Sequence, residues 1–205
     1  MGYIELYEQL KAYPFFSLRD IRLLEPGFDR RRLSEWQDKN YILKISRGYY
    51  QFKDRDLTDL DLFYLANQLF KPSYISMESG LRYYNFIPEA VYAITSISSV
   101  NTKTYSTSLG TFSYQKIRAK NFNNYQIVNF NNRAFKIASP EKVLVDFFYL
   151  RANLDTLLAI ESLRLDLDEV KEQVNIAVLD SIVESFNSQA LRGRIALLKE
   201  YLSNA

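Results

Sequence analysis

The chain has 205 residues, 47% hydrophobic and 24% charged, with 6 Gly and 5 Pro. That suits one large domain, or a small module joined to one of ordinary size, with little disordered chain. It has no Cys and no His, which excludes disulfides, thiolate nucleophiles, thiolate or imidazole metal sites and every imidazole-dependent triad. The net charge of +2 decides nothing about partners, so the distribution of charge must be read locally.

The first segment, MGYIELYEQLKAY, carries acidic residues and no continuous apolar run. Neither a signal peptide nor a membrane span is expected there, and a cytoplasmic location is the expectation for a chain without cysteine. Tyr3, Tyr7 and Leu10 recur at helical spacing and predict a helix over residues 4–12, which Pro14 ends. Ser17 followed by Asp20 has capping-box spacing, and Leu18, Ile21 and Leu24 predict the buried stripe of a second short helix. Pro26 and Gly27 make a turn. Asp29 then caps a third helix whose Leu33 and Trp36 face inward, leaving Arg30, Arg31, Ser34 and Gln37 outward. The helix closes near Lys39 and Asn40, since asparagine tolerates the left-handed conformation that ends helices. Residues 41–45 and 49–52 are β-favouring runs joined by Ser46, Arg47 and Gly48, a hairpin with Arg47 at its tip.

Between residues 17 and 53 nine basic side chains stand against five acidic ones. The order of helix, turn, capped basic helix and tight hairpin predicts a winged helix-turn-helix over residues 1–53 that reads double-stranded DNA. Arginine at the start of such a helix can donate bidentately to guanine O6 and N7 or hold a phosphate. The candidate DNA-binding residues are Arg30, Arg31, Arg32, Ser34, Gln37 and Lys39 on the helix, with Lys44, Arg47 and Tyr49 on the wing setting register through phosphate or minor-groove contacts. Taken alone, three consecutive arginines are a solvated helix face; the surrounding elements give them meaning. Trp36 reads as core.

A charged bridge, residues 53–56, leads to a second region over residues 57–205. Asp59 is expected to cap a helix covered by Leu62, Phe63, Ala66, Leu69 and Phe70. Ser76 is expected to cap another that ends near Asn85, with Pro88 forcing an exit and a strand beginning at Val91. Residues 105–107 and 111–116 predict one hairpin; residues 125–130 and 134–137, around Asn131 and Asn132, predict a second. Ser139, Pro140 and Glu141 form a strong helix start, after which Val143, Leu144, Phe147 and Leu150 face the sheet. From Leu154 onward the pattern is helical, with breaks near Leu165 and Asn187. The expected class is α+β, with a small mostly antiparallel sheet flanked by helices and then a helical C-terminal tail. The hydroxyls between Thr95 and Ser108 read as solvent-facing strand positions, and Asp166, Asp168, Glu169 and Glu172 as complement to a helix dipole.

Four blocks, RRRLSEWQDKNYILKISRGYYQF, PSYISMESGLRYYNFIPEAVYAITSISS, LGTFSYQKI and IASPEKVLVDFFYL, occur in an order that resembles the AbiEi family of abortive-infection antitoxins. These are the transcriptional-regulator half of type IV toxin–antitoxin systems, and the resemblance covers nearly the whole chain. Asn40 departs from it where a glycine often ends the recognition helix, and Gly80 where alanine is usual. The resemblance implies a winged helix that binds inverted repeats at its own promoter, with the DNA role on Arg30, Arg31, Arg32, Lys39, Lys44 and Arg47. It also implies a C-terminal antitoxin domain that counters a nucleotidyltransferase-like toxin without a stable complex. No cofactor, metal or catalytic residue is expected. The alternatives are a ligand- or partner-responsive winged-helix regulator without a toxin, and a metal-dependent nuclease using Asp146, Asp166 or Asp168.

Overall fold

A computed structural model describes residues 1–89 and 92–204. Among these residues ten α-helices, a three-stranded antiparallel sheet and a six-stranded mixed sheet make an α+β protein. None of the helices is long and apolar enough to cross a membrane.

The N-terminal segment runs α1 (Tyr3–Leu10), β1 (Phe16–Ser17), α2 (Leu18–Leu24), α3 (Arg31–Asp38), β2 (Ile42–Ser46) and β3 (Tyr49–Phe52). Each boundary has a local cause. Ser17 and Asp20 close a reciprocal capping box at the start of α2, Ser17 Oγ and N donating to Asp20 Oδ2 while Asp20 N donates back to Ser17 Oγ. Asn40 adopts φ 57° just past α3, and Tyr41 N donates to Trp36 O at 2.9 Å, a Schellman closure. Gly48, at φ 87°, turns β2 into β3. β1 was not expected from sequence; at two residues it is too short to show alternation, and it exists by pairing with β3 to give the order β1-β3-β2. Leu6, Phe16, Ile21, Leu33, Trp36 and Phe52 form the apolar core of this segment, each such side chain contributing about 1.5–3 kcal/mol when fully buried. Of the stripe expected on α2 only Ile21 is buried; Leu24 is 43% and Leu23 75% exposed.

The second region follows with α4 (Asp59–Leu69), β4 (Ser73–Ile75), α5 (Met77–Tyr83), β5 (Ala93–Ser98), β6 (Lys103–Thr107), β7 (Gly110–Lys116), β8 (Tyr125–Phe130), β9 (Arg133–Ala138) and α6 (Pro140–Leu150). Then come α7 (Leu157–Glu161), α8 (Leu167–Gln173), α9 (Ile176–Phe186) and α10 (Gln189–Asn204). The cap of α4 is Thr58, not Asp59: its hydroxyl donates to Asp61 Oδ2 and accepts from Asp61 N, a capping box one residue earlier. Both hairpins form, the second turning on Asn131 and Asn132 at φ 44° and 59°. The expected start of β5 at Val91 lies outside the described residues, as does Ala205.

The sheet differs from the small, mostly antiparallel one expected. Its order is β6-β7-β5-β4-β9-β8, with β5 parallel to β7 and β4 parallel to β9. The unforeseen strand is β4, three residues between a proline and a helix start, which links the two hairpin halves. α4 covers one face, where Phe63 meets Phe135 with ring centroids 5.5 Å apart and Tyr114 donates to Ala66 O at 2.8 Å. α5 and α6 cover the other. The terminal helices are a further layer on α6 and not a tail: Leu179, Leu191 and Leu198 are fully buried. Because β5 is an interior strand, Thr95, Ser96 and Ser98 are buried and do not face solvent; Thr95 Oγ1 donates to Ser76 O and Ser98 Oγ to Pro72 O.

Side chains from both parts join the N-terminal segment to the larger region. Phe15 stacks on Tyr64 with centroids 5.2 Å apart, and Tyr49 Oη donates to Gln68 O at 3.2 Å. Arg133 donates to Asp61 Oδ1 at 2.7 Å and to Ala12 O at 2.9 Å, while Ser108 Oγ donates to Lys44 O at 3.2 Å.

Candidate nucleic-acid interface

The site is organised by α3 and the β2–β3 hairpin. Asp29 Oδ1 accepts from Arg31 N at 2.9 Å, which pairs a carboxylate with an otherwise unsatisfied donor at the positive end of the helix. Leu33 and Trp36 anchor the inner face, Trp36 against Phe28 and Tyr3. With about 100° between successive residues, Arg31, Ser34, Glu35 and Asp38 fall on the outermost face, and all four are exposed. Arg30 and Gln37 flank it on one side and Arg32 on the other. Arg30 is exposed; Gln37 is half-buried and donates through Nε2 to Leu33 O at 2.8 Å.

The three arginines differ in their surroundings. Arg32 reaches back to the chain start, where its Nη1 lies 2.5 Å from Met1 O, and the Met1 amine in turn pairs with Glu25. Arg30 and Arg31 point to solvent and, among the described residues, take part in no ion pair; the same holds for Lys39, Lys44 and Arg47. Lys39 is exposed at the end of α3, Lys44 is exposed on β2, and Arg47 with Gly48 forms the hairpin turn. A group of cations not engaged with protein carboxylates is able to neutralise phosphates.

Tyr49 lies elsewhere. Its ring is half-buried, meets Phe15 edge-on at 5.9 Å, and its hydroxyl is directed at α4. The β2–β3 hairpin therefore presents Lys44 and Arg47 outward, and Tyr49 seats it on the larger region. Reading the arginine run alone missed Glu35 and Asp38, whose helical register with Arg31 was available in the sequence. Carboxylates repel phosphate, so this face is less cationic than the arginine run alone suggests.

The carboxylates named for a nuclease are not brought together. Asp146 is completely buried, held by Lys142, Tyr74 and Ser76. Asp166 caps α8 by accepting from Glu169 N at 3.2 Å, and Asp168 lies in the first turn of that helix. No group of three or more metal-ligating side chains occurs among the described residues. No protein-family model matches the chain, and a search of curated proteins finds none similar to it.

Proposed function

We propose that the chain is a DNA-binding autorepressor whose residues 1–53 form a winged helix, and that residues 57–205 are the antitoxin part of a type IV, AbiEi-like system. The observation that carries the DNA-reading part is the set of unpaired, exposed cations Arg30, Arg31, Lys39, Lys44 and Arg47 on α3 and the adjoining hairpin. The element order with β1 added to the hairpin supports the winged-helix reading. α3 would enter the major groove with Arg31 and Ser34 foremost, and Lys44 and Arg47 would hold phosphates beside it. The ligands in this reading are double-stranded promoter DNA with inverted repeats and, functionally, a nucleotidyltransferase-like toxin that is not held in a stable complex. The antitoxin part rests on the four sequence blocks. No enzymatic activity is assigned, and the burial of Asp146 weighs against its use by a nuclease.

The test is a gel-shift series with the chain's own upstream DNA over a range of salt. Lys44→Ala and Arg47→Ala should each weaken binding and reduce the slope of log affinity against log salt by about 0.9 for each phosphate no longer neutralised. Unchanged slopes in both variants would sink the DNA reading. Co-expression with the product of an adjacent nucleotidyltransferase-like gene tests the antitoxin part: growth should be rescued by the full chain and not by a chain lacking residues 57–205.

A further inference from the structure

A cleft of about 440 Å³ lies where α2 and β3 face α4, a size that accommodates a small organic molecule. Its walls are aromatic and come from both regions: Phe15 and Tyr49 from the N-terminal side and Tyr64 from α4, with Phe15 stacked on Tyr64 and meeting Tyr49 edge-on. Arg19 from α2 and Lys71, two residues past the end of α4, stand on its rim, both exposed and, among the described residues, with no side-chain hydrogen bond or ion pair. The one carboxylate lining the cleft, Asp20, is engaged by Ser17, whose N and Oγ both donate to its Oδ2 at 2.7 Å. The Tyr64 hydroxyl has no side-chain or backbone partner among the described residues either, so it remains as a donor.

We propose that this cleft binds a small planar aromatic acid, its ring laid on the exposed apolar lining of Tyr13 and Leu24 beside the Phe15–Tyr64 stack and its anionic group held by Arg19 and Lys71. The open apolar face of Tyr13 and Leu24 favours a flat, weakly hydrated ring, and two cations against one internally bonded carboxylate favour a single negative charge. A neutral aromatic molecule would gain the stacking without the charged contacts. A larger hydrophilic anion would have little to place against Tyr13 and Leu24. This site is separate from the α3 face and does not depend on DNA binding.

The probe is 2-naphthoate, with 2-naphthamide as its uncharged counterpart, followed by calorimetry on the full chain. Naphthoate should bind about tenfold or more tightly than naphthamide, since charge-assisted hydrogen bonds are the stronger kind. Arg19→Gln and Lys71→Gln, at exposed positions where folding is not at stake, should each weaken naphthoate about tenfold and leave naphthamide unchanged. Gln68→Trp, which places bulk in the cleft, should weaken both probes, while Tyr41→Ala, at an aromatic group outside it, should affect neither. Equal affinity for the two probes, no binding at about 1 mM, or charge variants that behave like the wild type would overturn the proposal. So would a wild-type dimer that Leu23→Glu dissociates, because a second copy would then be the occupant.

Discussion

Lys142 and Asp146 stand one turn apart on α6 and form an ion pair with both side chains wholly shielded from solvent. Desolvation pushes the ammonium down from its ordinary pKa and the carboxyl up, and their mutual attraction opposes both shifts. Tyr74 Oη on β4 and Ser76 Oγ just after it each donate to Asp146 Oδ2 at 2.9 Å, and Lys142 Nζ lies 4.8 Å from the Phe186 ring centroid on α9. This cluster ties β4, α6 and α9 together.

Removing one partner strands the other in a low-dielectric interior. Lys142→Met should therefore lower unfolding free energy by about 3–5 kcal/mol, whereas the double variant Lys142→Met/Asp146→Leu should lose less than either single change. Urea denaturation of the four proteins measures this. Additive losses would show that the two charges are not coupled.

Gly80 on α5 sits against α6, where an added Cβ would lie 2.7 Å from Val143 Cγ2. Helix propensity favours alanine over glycine by about 1 kcal/mol, but overpacking a filled contact with a stiff β-branched residue costs about 1–3 kcal/mol. The second effect should win, so Gly80→Ala is expected to lower the melting temperature. Adding Val143→Ala should then recover part of the loss relative to Val143→Ala alone. A stabilised Gly80→Ala protein would mean that α5 can shift outward at little cost.

Tyr74, Tyr84 and Tyr114 have hydroxyls that donate to Asp146 Oδ2, Ala138 O and Ala66 O. Burial is the main cause that holds all three above the ordinary tyrosine value of 10.0. Because the unfolded chain ionises these groups first as alkali is added, their contribution to stability is complete below about pH 10 and is lost as pH rises beyond it. An absorbance titration of tyrosinate should show these three silent through the range where exposed tyrosines titrate, then released together as the fold is lost. A smooth single titration of every tyrosine near pH 10 would contradict it.

Much of this fold was legible because its signals are local. Ser17 with Asp20, Ser139 with Pro140, and Asn131 with Asn132 each specify a cap or turn within four residues, and each occurs where sequence placed it. What escaped is non-local. Ser76 has the position of an N-cap, yet its hydroxyl goes to Asp146, 70 residues away. The hydroxyls of β5 looked suited to solvent because nothing local shows that β4 and β7 lie on either side of it. At the candidate interface, charge and helical phase were readable, but the inward turn of Tyr49 depends on α4, an element from the other region.

That inward turn separates two classes of hairpin residue. Tyr49→Phe removes only the hydroxyl bonded to Gln68 O, a typical hydrogen bond whose net contribution is about 0.5–1.5 kcal/mol. It should lower stability by that amount while leaving the salt slope of DNA binding unchanged. Arg32→Ala should behave similarly in the gel-shift series, since its guanidinium is directed at Met1 O. Lys44→Ala and Arg47→Ala, with no side-chain protein partner to lose, should do the reverse, reducing the salt slope with little change in unfolding free energy, whereas Arg31→Ala should lower the preference for the chain's own upstream DNA over unrelated DNA. If Tyr49→Phe reduced the slope as much as Arg47→Ala, the hairpin would have to leave α4 on DNA, exposing the tyrosine that now seats it.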